Sequence, residues 1–427
     1  MADYFAKLEG LGGLEYRGIK PGLSRIRGVL EKTGMPHEKF PCIHIAGTNG
    51  KGSTAAFVSW ILETAGYRTG LYTSPHLVSQ CERISINSRD ITRDELAAAA
   101  RSLWKYVREF SLTYFELFTA IAFGYFADKK VDVAVIEVGL GGRYDATNVI
   151  RNPLASIITD IDYDHTELLG KKLVDISSEK AGIIKDGSPV VTSNRNGVAM
   201  RVISGEASRH KCDLYRLGRD FFYKQGPVDW QGLKQKFSYR DTENSYENLQ
   251  IALPGSHQVK NCSLALMCST LLKNQGLRLA PGDIRAALKR VTWPGRFEVH
   301  GKIVLDGAHN PRGITELMGT LKEYSSFLKS EGIAFIISIM KEKDYRKIIR
   351  QVVKHAKKII LYKLKNERAV QPGVLRMLVE SVAPGLPVVE AGSFDEAVRA
   401  VKDEKLVCVT GSLYMVGEWK KQQSALT

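Results

Sequence analysis

Seven residues, Gly47-Thr48-Asn49-Gly50-Lys51-Gly52-Ser53, follow an apolar run from Cys42 to Ala46 and precede a helix-like stretch from Thr54 to Thr64. A strand, a glycine-rich loop and a helix start in that order can turn several backbone N–H groups toward one phosphate. The helix N-terminus adds partial positive charge and Lys51 a full one. The expected ligand is a nucleoside triphosphate. The usual P-loop pattern puts Ser or Thr directly after the lysine, whereas here Gly52 intervenes and the hydroxyl falls on Ser53. The loop is therefore a variant.

Other residues could complete a metal-nucleotide site. The run Val131–Gly139 is β-branched and nearly continuous in apolar residues, yet it carries Glu137. A carboxylate in a buried parallel strand is unfavourable unless it meets a metal or a partner, and ligands bind at the carboxyl ends of such strands. Ser74, in Thr73-Ser74-Pro75-His76-Leu77, and His165, in Asp162-Tyr163-Asp164-His165, follow two further expected strands. Hydroxyl, carboxylate, imidazole and phosphate oxygens together suit Mg²⁺, which takes its remaining ligands from water and nucleotide. A second glycine-rich loop runs from Gly139 to Asn148 and ends in polar side chains, as a substrate clamp or a flexible turn would.

The elements that must position these residues read as α/β. Apolar runs at Gly70–Thr73, Val131–Gly139, Leu154–Thr159 and Pro189–Ser193 alternate with helix-like segments such as Arg93–Phe110 and Leu117–Ala127, which implies a mainly parallel sheet covered on both faces. Between Cys212 and Leu253 polar and apolar residues alternate, with Asp241–Asn244 as a turn, suggesting a small antiparallel addition; a helix from Gln258 to Leu272 follows. Trp293-Pro294-Gly295-Arg296 punctuates two regular regions, so the expected domains are residues 1–295 and 296–427. The second is Rossmann-like in its alternation but has no G-x-G-x-x-G, leaving dinucleotide binding unsupported.

Composition narrows the class. The six cysteines are scattered without C-x-x-C pairing and read as reduced, mostly buried thiols of a cytoplasmic protein. Met1–Gly13 lacks the apolar core of an export signal, and Leu112–Ala127, interrupted by Glu116, is too short for a membrane helix and reads as a buried one. A net charge of +15 favours anionic partners. The basic runs Lys341–Arg350 and Lys354–Lys358 are broken by apolar residues, as helix faces are, so neither nucleic acid nor membrane is an expected partner.

The ordered set Gly47–Ser53, Thr73–Leu77, Tyr114-Phe115-Glu116, Glu137–Asn148, Asp164-His165, Glu179-Lys180-Ala181-Gly182-Ile183 and Asp306-Gly307-Ala308-His309-Asn310-Pro311 resembles the folylpolyglutamate synthase/dihydrofolate synthase family of Mur ligases. The resemblance runs from Pro21-Gly22-Leu23-Ser24-Arg25 to Thr410-Gly411-Ser412-Leu413-Tyr414. It implies a P-loop Mur-ligase-type central domain, a smaller C-terminal α/β domain, and an ATP-dependent ligase that joins L-glutamate to dihydropteroate or a reduced folate through an acyl phosphate. By the same resemblance Gly47, Thr48, Asn49, Gly50, Lys51, Gly52 and Ser53 hold the phosphates, with Asn261, Arg296 and Asp306 as further ATP contacts. Ser53, Ser74, Glu137, His165 and a carbamylated Lys180 would hold Mg²⁺. Gly22, Leu23, Ser24, Arg25, Tyr114, Phe115, Glu116, Tyr144, Asp145 and Ala146 would meet the pterin, while His309 and Ser412 would handle the incoming glutamate. A monomer is expected. From its surroundings in the sequence, Lys180 reads only as a solvated helix lysine. The competing readings are a Mur-type ligase with another acceptor and a nucleic-acid-dependent P-loop ATPase.

Overall fold

The computed structural model describes residues 22–424. The reading of Met1–Gly13, and Pro21 of the first quoted motif, lie outside them. The described chain divides into two compact units: residues up to 224 with 237–249 and 260–291, and residues 225–236, 250–259 and 292 onward.

In the first unit the strands are β1 (Cys42–Ala46), β2 (Thr69–Tyr72), β3 (Ile84–Ile86), β4 (Arg89–Asp90), β5 (Val133–Glu137), β6 (Ala155–Ile158), β7 (Val190–Thr192) and β8 (Leu214–Arg216). They form one sheet in the order β4-β3-β2-β5-β1-β6-β7-β8. All neighbours from β2 to β8 run parallel, and β3 and β4 add an antiparallel edge that the sequence reading did not foresee. β1 and β5 are buried at every residue, as expected where helices cover both faces. Paired residues share a face, so Cys42 and His44 look the same way as Ala134 and Ile136. That face packs on the helices Ser24–Lys32, Arg93–Glu109 and Tyr114–Asp128 in one apolar cluster. β1 leads to β2 on one side of the sheet, whereas its neighbour β6 leads to β7 on the other. This is the switch point where α/β sheets open a crevice at the strands' carboxyl ends.

A three-stranded sheet of β9 (Phe222–Asp229), β10 (Lys234–Arg240) and β11 (Ser245–Ile251) follows, in the order β11-β10-β9. The division into units runs through it. The second unit's main sheet has β12 (Glu298–His300), β13 (Ile303–Leu305), β14 (Ile333–Ile337), β15 (Ala356–Tyr362), β16 (Val388–Ala391) and β17 (Val407–Thr410), ordered β12-β13-β17-β14-β15-β16. Only the β12–β13 pair is antiparallel. Of the described cysteines only Cys212 is not buried, and all are free. No described helix is long and apolar enough to cross a membrane.

The helix Tyr114–Asp128 is fixed at its start by a buried capping box. Thr113 Oγ1 accepts from the Glu116 N–H, and the Glu116 carboxylate accepts from the Thr113 N–H at 2.8 Å. Thr113→Ala removes one arm of the box and is expected to lower unfolding stability by about 1 kcal/mol. Urea denaturation checks this through a lower midpoint at an unchanged slope.

Candidate active site

β1 runs directly into the glycine loop. Gly47 (φ 148°) and Gly50 (φ 89°) occupy backbone conformations that side chains disfavour. Space excludes a side chain as well: a Cβ on Gly47 would lie 1.8 Å from Thr159 Oγ1, and one on Gly50 2.3 Å from Asn261 Oδ1. Gly50 caps the helix Lys51–Thr64, so the N–H groups of Lys51, Gly52 and Ser53 have no intrahelical acceptor. With the helix dipole they form an anion cradle. The loop after β6 backs it, since the Thr48 N–H donates to the Asp160 carbonyl at 2.7 Å and the Thr48 hydroxyl to the Asp162 carbonyl at 3.0 Å.

Two lysines converge on one carbonyl. Lys51 Nζ folds back to the Gly47 and Thr48 carbonyls at 3.2 and 3.3 Å. Lys180, on the helix Leu173–Ala181, donates to the Gly47 carbonyl at 2.8 Å. Its burial, at 4% exposed, overturns the reading of a solvated helix lysine. The structural cause lies in the second glycine loop: a Cβ on Gly142 would meet the Glu179 carbonyl oxygen at 2.5 Å, and the Arg143 N–H donates to that carbonyl at 2.7 Å. The loop therefore seats the Lys180 helix on its backbone carbonyls, with the Arg143 side chain donating to the Ser178 carbonyl at 3.3 Å and Asn148 Nδ2 to the Gly182 carbonyl at 3.0 Å.

Glu137 ends β5 in register with Ile45 of β1. It is 4% exposed, and its Oε2 accepts from the Ser74 N–H at 3.2 Å. Ser53 is buried in the first turn after the cradle, while Ser74 is half-buried after β2. Half-buried His165 has φ 49° and caps the short helix Thr166–Leu169 beyond β6, its N–H donating to Asp164 Oδ1 at 2.9 Å. Ser74 thus meets Glu137, and Lys180 meets the cradle. Among the described residues no three His, Cys, Asp or Glu side chains gather as a metal-holding group. A buried carboxylate with hydroxyls beside a phosphate cradle still fits Mg²⁺, which favours waters and phosphate oxygens over an all-protein cage. In the Ser74 loop His76 accepts from Arg83 Nε at 2.9 Å, and burial with that cation pushes the imidazole down to about 4, keeping it neutral.

The residues expected at the pterin fall into two groups. Arg25 Nε pairs with Glu116 Oε1 at 3.0 Å, joining the segment Gly22–Arg25 to the start of the helix Tyr114–Asp128. Tyr114 is only 7% exposed and packs on Phe118 at 4.6 Å between ring centroids, so its ring is core rather than an open stacking face. Phe115 covers Gly139, where a Cβ would come 2.5 Å from the ring. In the second glycine loop Tyr144 is 54% exposed, whereas Asp145 and Ala146 are buried. Asp145 accepts from the N–H groups of Leu140 (2.9 Å) and Thr147 (3.0 Å), and burial pushes its carboxyl up against the pull of those bonds.

In the second unit, at the carboxyl end of β13, Asp306 accepts from the N–H groups of Phe297 and Ala308, both at 2.9 Å. This brings the Arg296–Phe297 turn and the loop 306–310 together. Gly307 lies under Arg296, with room for no Cβ. His309 Nδ1 faces the Gly307 carbonyl at 2.8 Å; a carbonyl only accepts, so Nδ1 carries the proton and Nε2 is the basic nitrogen of the neutral ring. Buried Ser412 follows β17 and accepts from the Tyr414 N–H at 3.2 Å, while the Gly411 N–H donates to the Ala308 carbonyl at 3.0 Å.

Sequence reasoning passed over Asp160 and Lys260. Lys260 precedes Asn261 and pairs with Asp160, whose other oxygen accepts from Ser193 Oγ at 2.9 Å. The Asp160 backbone also bridges to Asn49. One residue thus ties the loop to the helix whose Asn261 covers Gly50. The available signal was an acid immediately after a buried strand.

Residues 45–269 match the Mur ligase middle domain, and residues 295–413 match the Mur ligase glutamate ligase domain. The chain is 34% identical to the dihydrofolate synthase/folylpolyglutamate synthase of Bacillus subtilis over 95% of each chain. It is 36% identical to the folylpolyglutamate synthase of Lacticaseibacillus casei over 92% of each. The Mycobacterium tuberculosis folylpolyglutamate synthase, solved in complex with ADP and AMPPCP, superposes with a TM-score of 0.89 at 30% identity, covering 98% of both chains.

Asp160→Asn removes the anion that holds Lys260 and should weaken ADP binding about tenfold, the effect of roughly 1.4 kcal/mol from one charged hydrogen bond. Calorimetric titration with ADP checks this; an unchanged Kd would separate the Asp160–Lys260 pair from nucleotide binding.

Proposed function

This chain belongs to the folylpolyglutamate synthase/dihydrofolate synthase family of Mur ligases, and we propose on that premise that it uses ATP to join L-glutamate to the carboxylate of dihydropteroate or a reduced folate. One observation carries the reading: the Gly47 carbonyl gathers Lys51 and Lys180 at the mouth of a phosphate cradle, while Glu137 ends the adjoining strand. A cradle alone serves any nucleotide hydrolase. A buried carboxylate at the same edge, with a second lysine that is buried and open to carbamylation, suits a site that would hold a metal ion against the phosphoryl group in transfer.

In the first step an acceptor carboxylate oxygen attacks the γ-phosphorus; its bond to the bridging oxygen breaks, and ADP leaves an acyl phosphate. The N–H groups of Lys51, Gly52 and Ser53 and the Lys51 ammonium hold the phosphate oxygens through that transfer. In the second step the glutamate amine, as free base, attacks the acyl carbon; the tetrahedral intermediate collapses to amide and phosphate, and the nitrogen loses a proton. His309, with Nε2 as its basic nitrogen, is the proposed acceptor of that proton, and Ser412 a contact for the glutamate. Asn261, Arg296 and Asp306 are proposed as the further ATP contacts. When bound, Mg²⁺ neutralises phosphate charge; Ser53, Ser74, Glu137 and His165 are the residues proposed to hold it.

Lys180 fits carbamylation. A carbamate keeps one N–H on the same nitrogen, so the bond to the Gly47 carbonyl can persist while two anionic oxygens are added beside the cradle. The acceptor would lie along Gly22–Arg25, Phe115 and Tyr144–Ala146. The work is proposed to divide between residues 1–295, for ATP and pterin, and 296–427, for glutamate, in a monomeric cytoplasmic enzyme.

Incubation with ATP, Mg²⁺, L-glutamate and either dihydropteroate or tetrahydrofolate is expected to release phosphate and to give a product heavier by one glutamyl residue. Absence of that product with both acceptors would refute the reading. Glu137→Gln should lower kcat by at least about a hundredfold, as removal of a charge-stabilising group does, with an unchanged melting temperature; full activity in this variant would remove Glu137 from the site.

A further inference from the structure

His44 lies in the middle of β1, fully buried, three residues before Gly47. It belongs to no expected ligand set, and a histidine is an odd occupant of a strand otherwise made of Cys, Ile and Ala. Its Nε2 is 2.8 Å from Thr147 Oγ1. The Thr147 hydroxyl donates to Asp145 Oδ1 at 2.6 Å, and an ionised carboxylate can only accept. The hydroxyl's single proton is thereby used, so it must accept from His44, whose ring carries its proton on Nε2. Nδ1 is left as a buried nitrogen without a hydrogen-bond partner. Burial and the Lys185 charge push the imidazole down to about 3, so it remains neutral throughout the working range of pH. An apolar residue would satisfy the core better than a ring with one orphaned nitrogen.

The connections continue through the backbone. Asp145 accepts from the N–H groups of Thr147 and Leu140, and its own N–H donates to the Gly142 carbonyl at 3.1 Å. Arg143 donates to the Glu179 carbonyl at 2.7 Å, Lys180 follows, and its Nζ returns to Gly47 at 2.8 Å. His44, Thr147, Asp145, the Gly142 turn, Lys180 and Gly47 thus form a ring of contacts that begins on β1 and returns to the residue directly after it.

We propose that His44 is a positioning residue that locks the acceptor-side loop 139–148 to the strand bearing the phosphate cradle, through Thr147 and Asp145. The inference rests on the reading that Tyr144–Ala146 meets the acceptor. A loop held in its binding conformation spares the acceptor the ordering penalty. Loss of the His44 donor therefore falls on acceptor affinity, while the cradle, built from Gly47, Gly50 and the helix N-terminus, keeps its hold on ATP.

The test compares His44→Leu, which removes the donor, with His44→Gln, whose amide nitrogen reaches the Nε2 position, and with Thr147→Val, which cuts the relay one step later without changing shape. In the full chain, His44→Leu and Thr147→Val should raise the acceptor KM about five- to tenfold, the loss of one hydrogen bond, and leave the ATP KM within about twofold. His44→Gln should restore most of it. Hydrogen exchange should quicken at the amides of 139–148 and stay as in the wild type at 42–53. Equal rises in both KM values, a Gln variant no better than Leu, or exchange that quickens across the whole sheet would overturn the assignment. Should the wild type ligate no pterin, the ligase reading fails, and the exchange pattern still decides whether His44 locks the loop. Should His44→Leu not fold, Thr147→Val carries the same comparison.

Discussion

The carbonyl of Gly47 accepts from two lysine ammonium groups, and its α-carbon sits so close to Thr159 that no side chain fits. These two facts constrain each other. Close approach to the loop after β6 sets the left-handed turn, and the turn presents the carbonyl to Lys51 from one helix and Lys180 from another. Concentrating two cations on one backbone oxygen is unfavourable by itself, because like charges repel in a partly buried setting. The arrangement eases once an anion is drawn into the cradle against Lys51 and the helix dipole, and the carbamylation proposed for Lys180 would remove the second positive charge. Electrostatics and sterics therefore prepare the same ligand.

Topology delivers this constraint to the right place. In the first unit the chain leaves β1 and β6 in opposite directions, and in the second β17 is inserted between β13 and β14; the glycine loop follows the carboxyl end of β1, Glu137 ends β5, and Asp306 follows β13. Glycines mark where backbone meets backbone: Gly142 on Glu179 and Gly411 beside Ser338. The polar side chains are largely occupied in holding loops. Asp145 and Asp306 each accept two backbone N–H bonds. Such carboxylates fix the geometry on which the reacting groups depend.

Legibility in the sequence followed the range of the interaction. The cradle was readable because its strand, loop and helix start are contiguous, and Glu137 because a charge within a β-branched run contradicts its surroundings. The helix expected from Arg93 begins there, whereas the one expected from Leu117 begins at Tyr114, its start being set by Thr113 and Glu116 rather than by apolar periodicity. The β3–β4 hairpin was missed because its strands are three and two residues long. Lys180 was illegible from its neighbours: its burial depends on Gly142, distant along the chain, and only resemblance drew attention to it. Asp160, Lys260 and His44 act through contacts between distant segments, which no local pattern encodes.

The proposed chemistry has one centre: the γ-phosphoryl group of ATP, proposed to be held at Gly47–Ser53, passes to a carboxylate before the amide forms. A heavy-oxygen label in the acceptor carboxylate follows that step directly, with mass spectrometry of the released phosphate. Transfer of one labelled oxygen to phosphate for each amide formed is the predicted result. Phosphate carrying only solvent oxygen, with ATP hydrolysed independently of the acceptor, would contradict it.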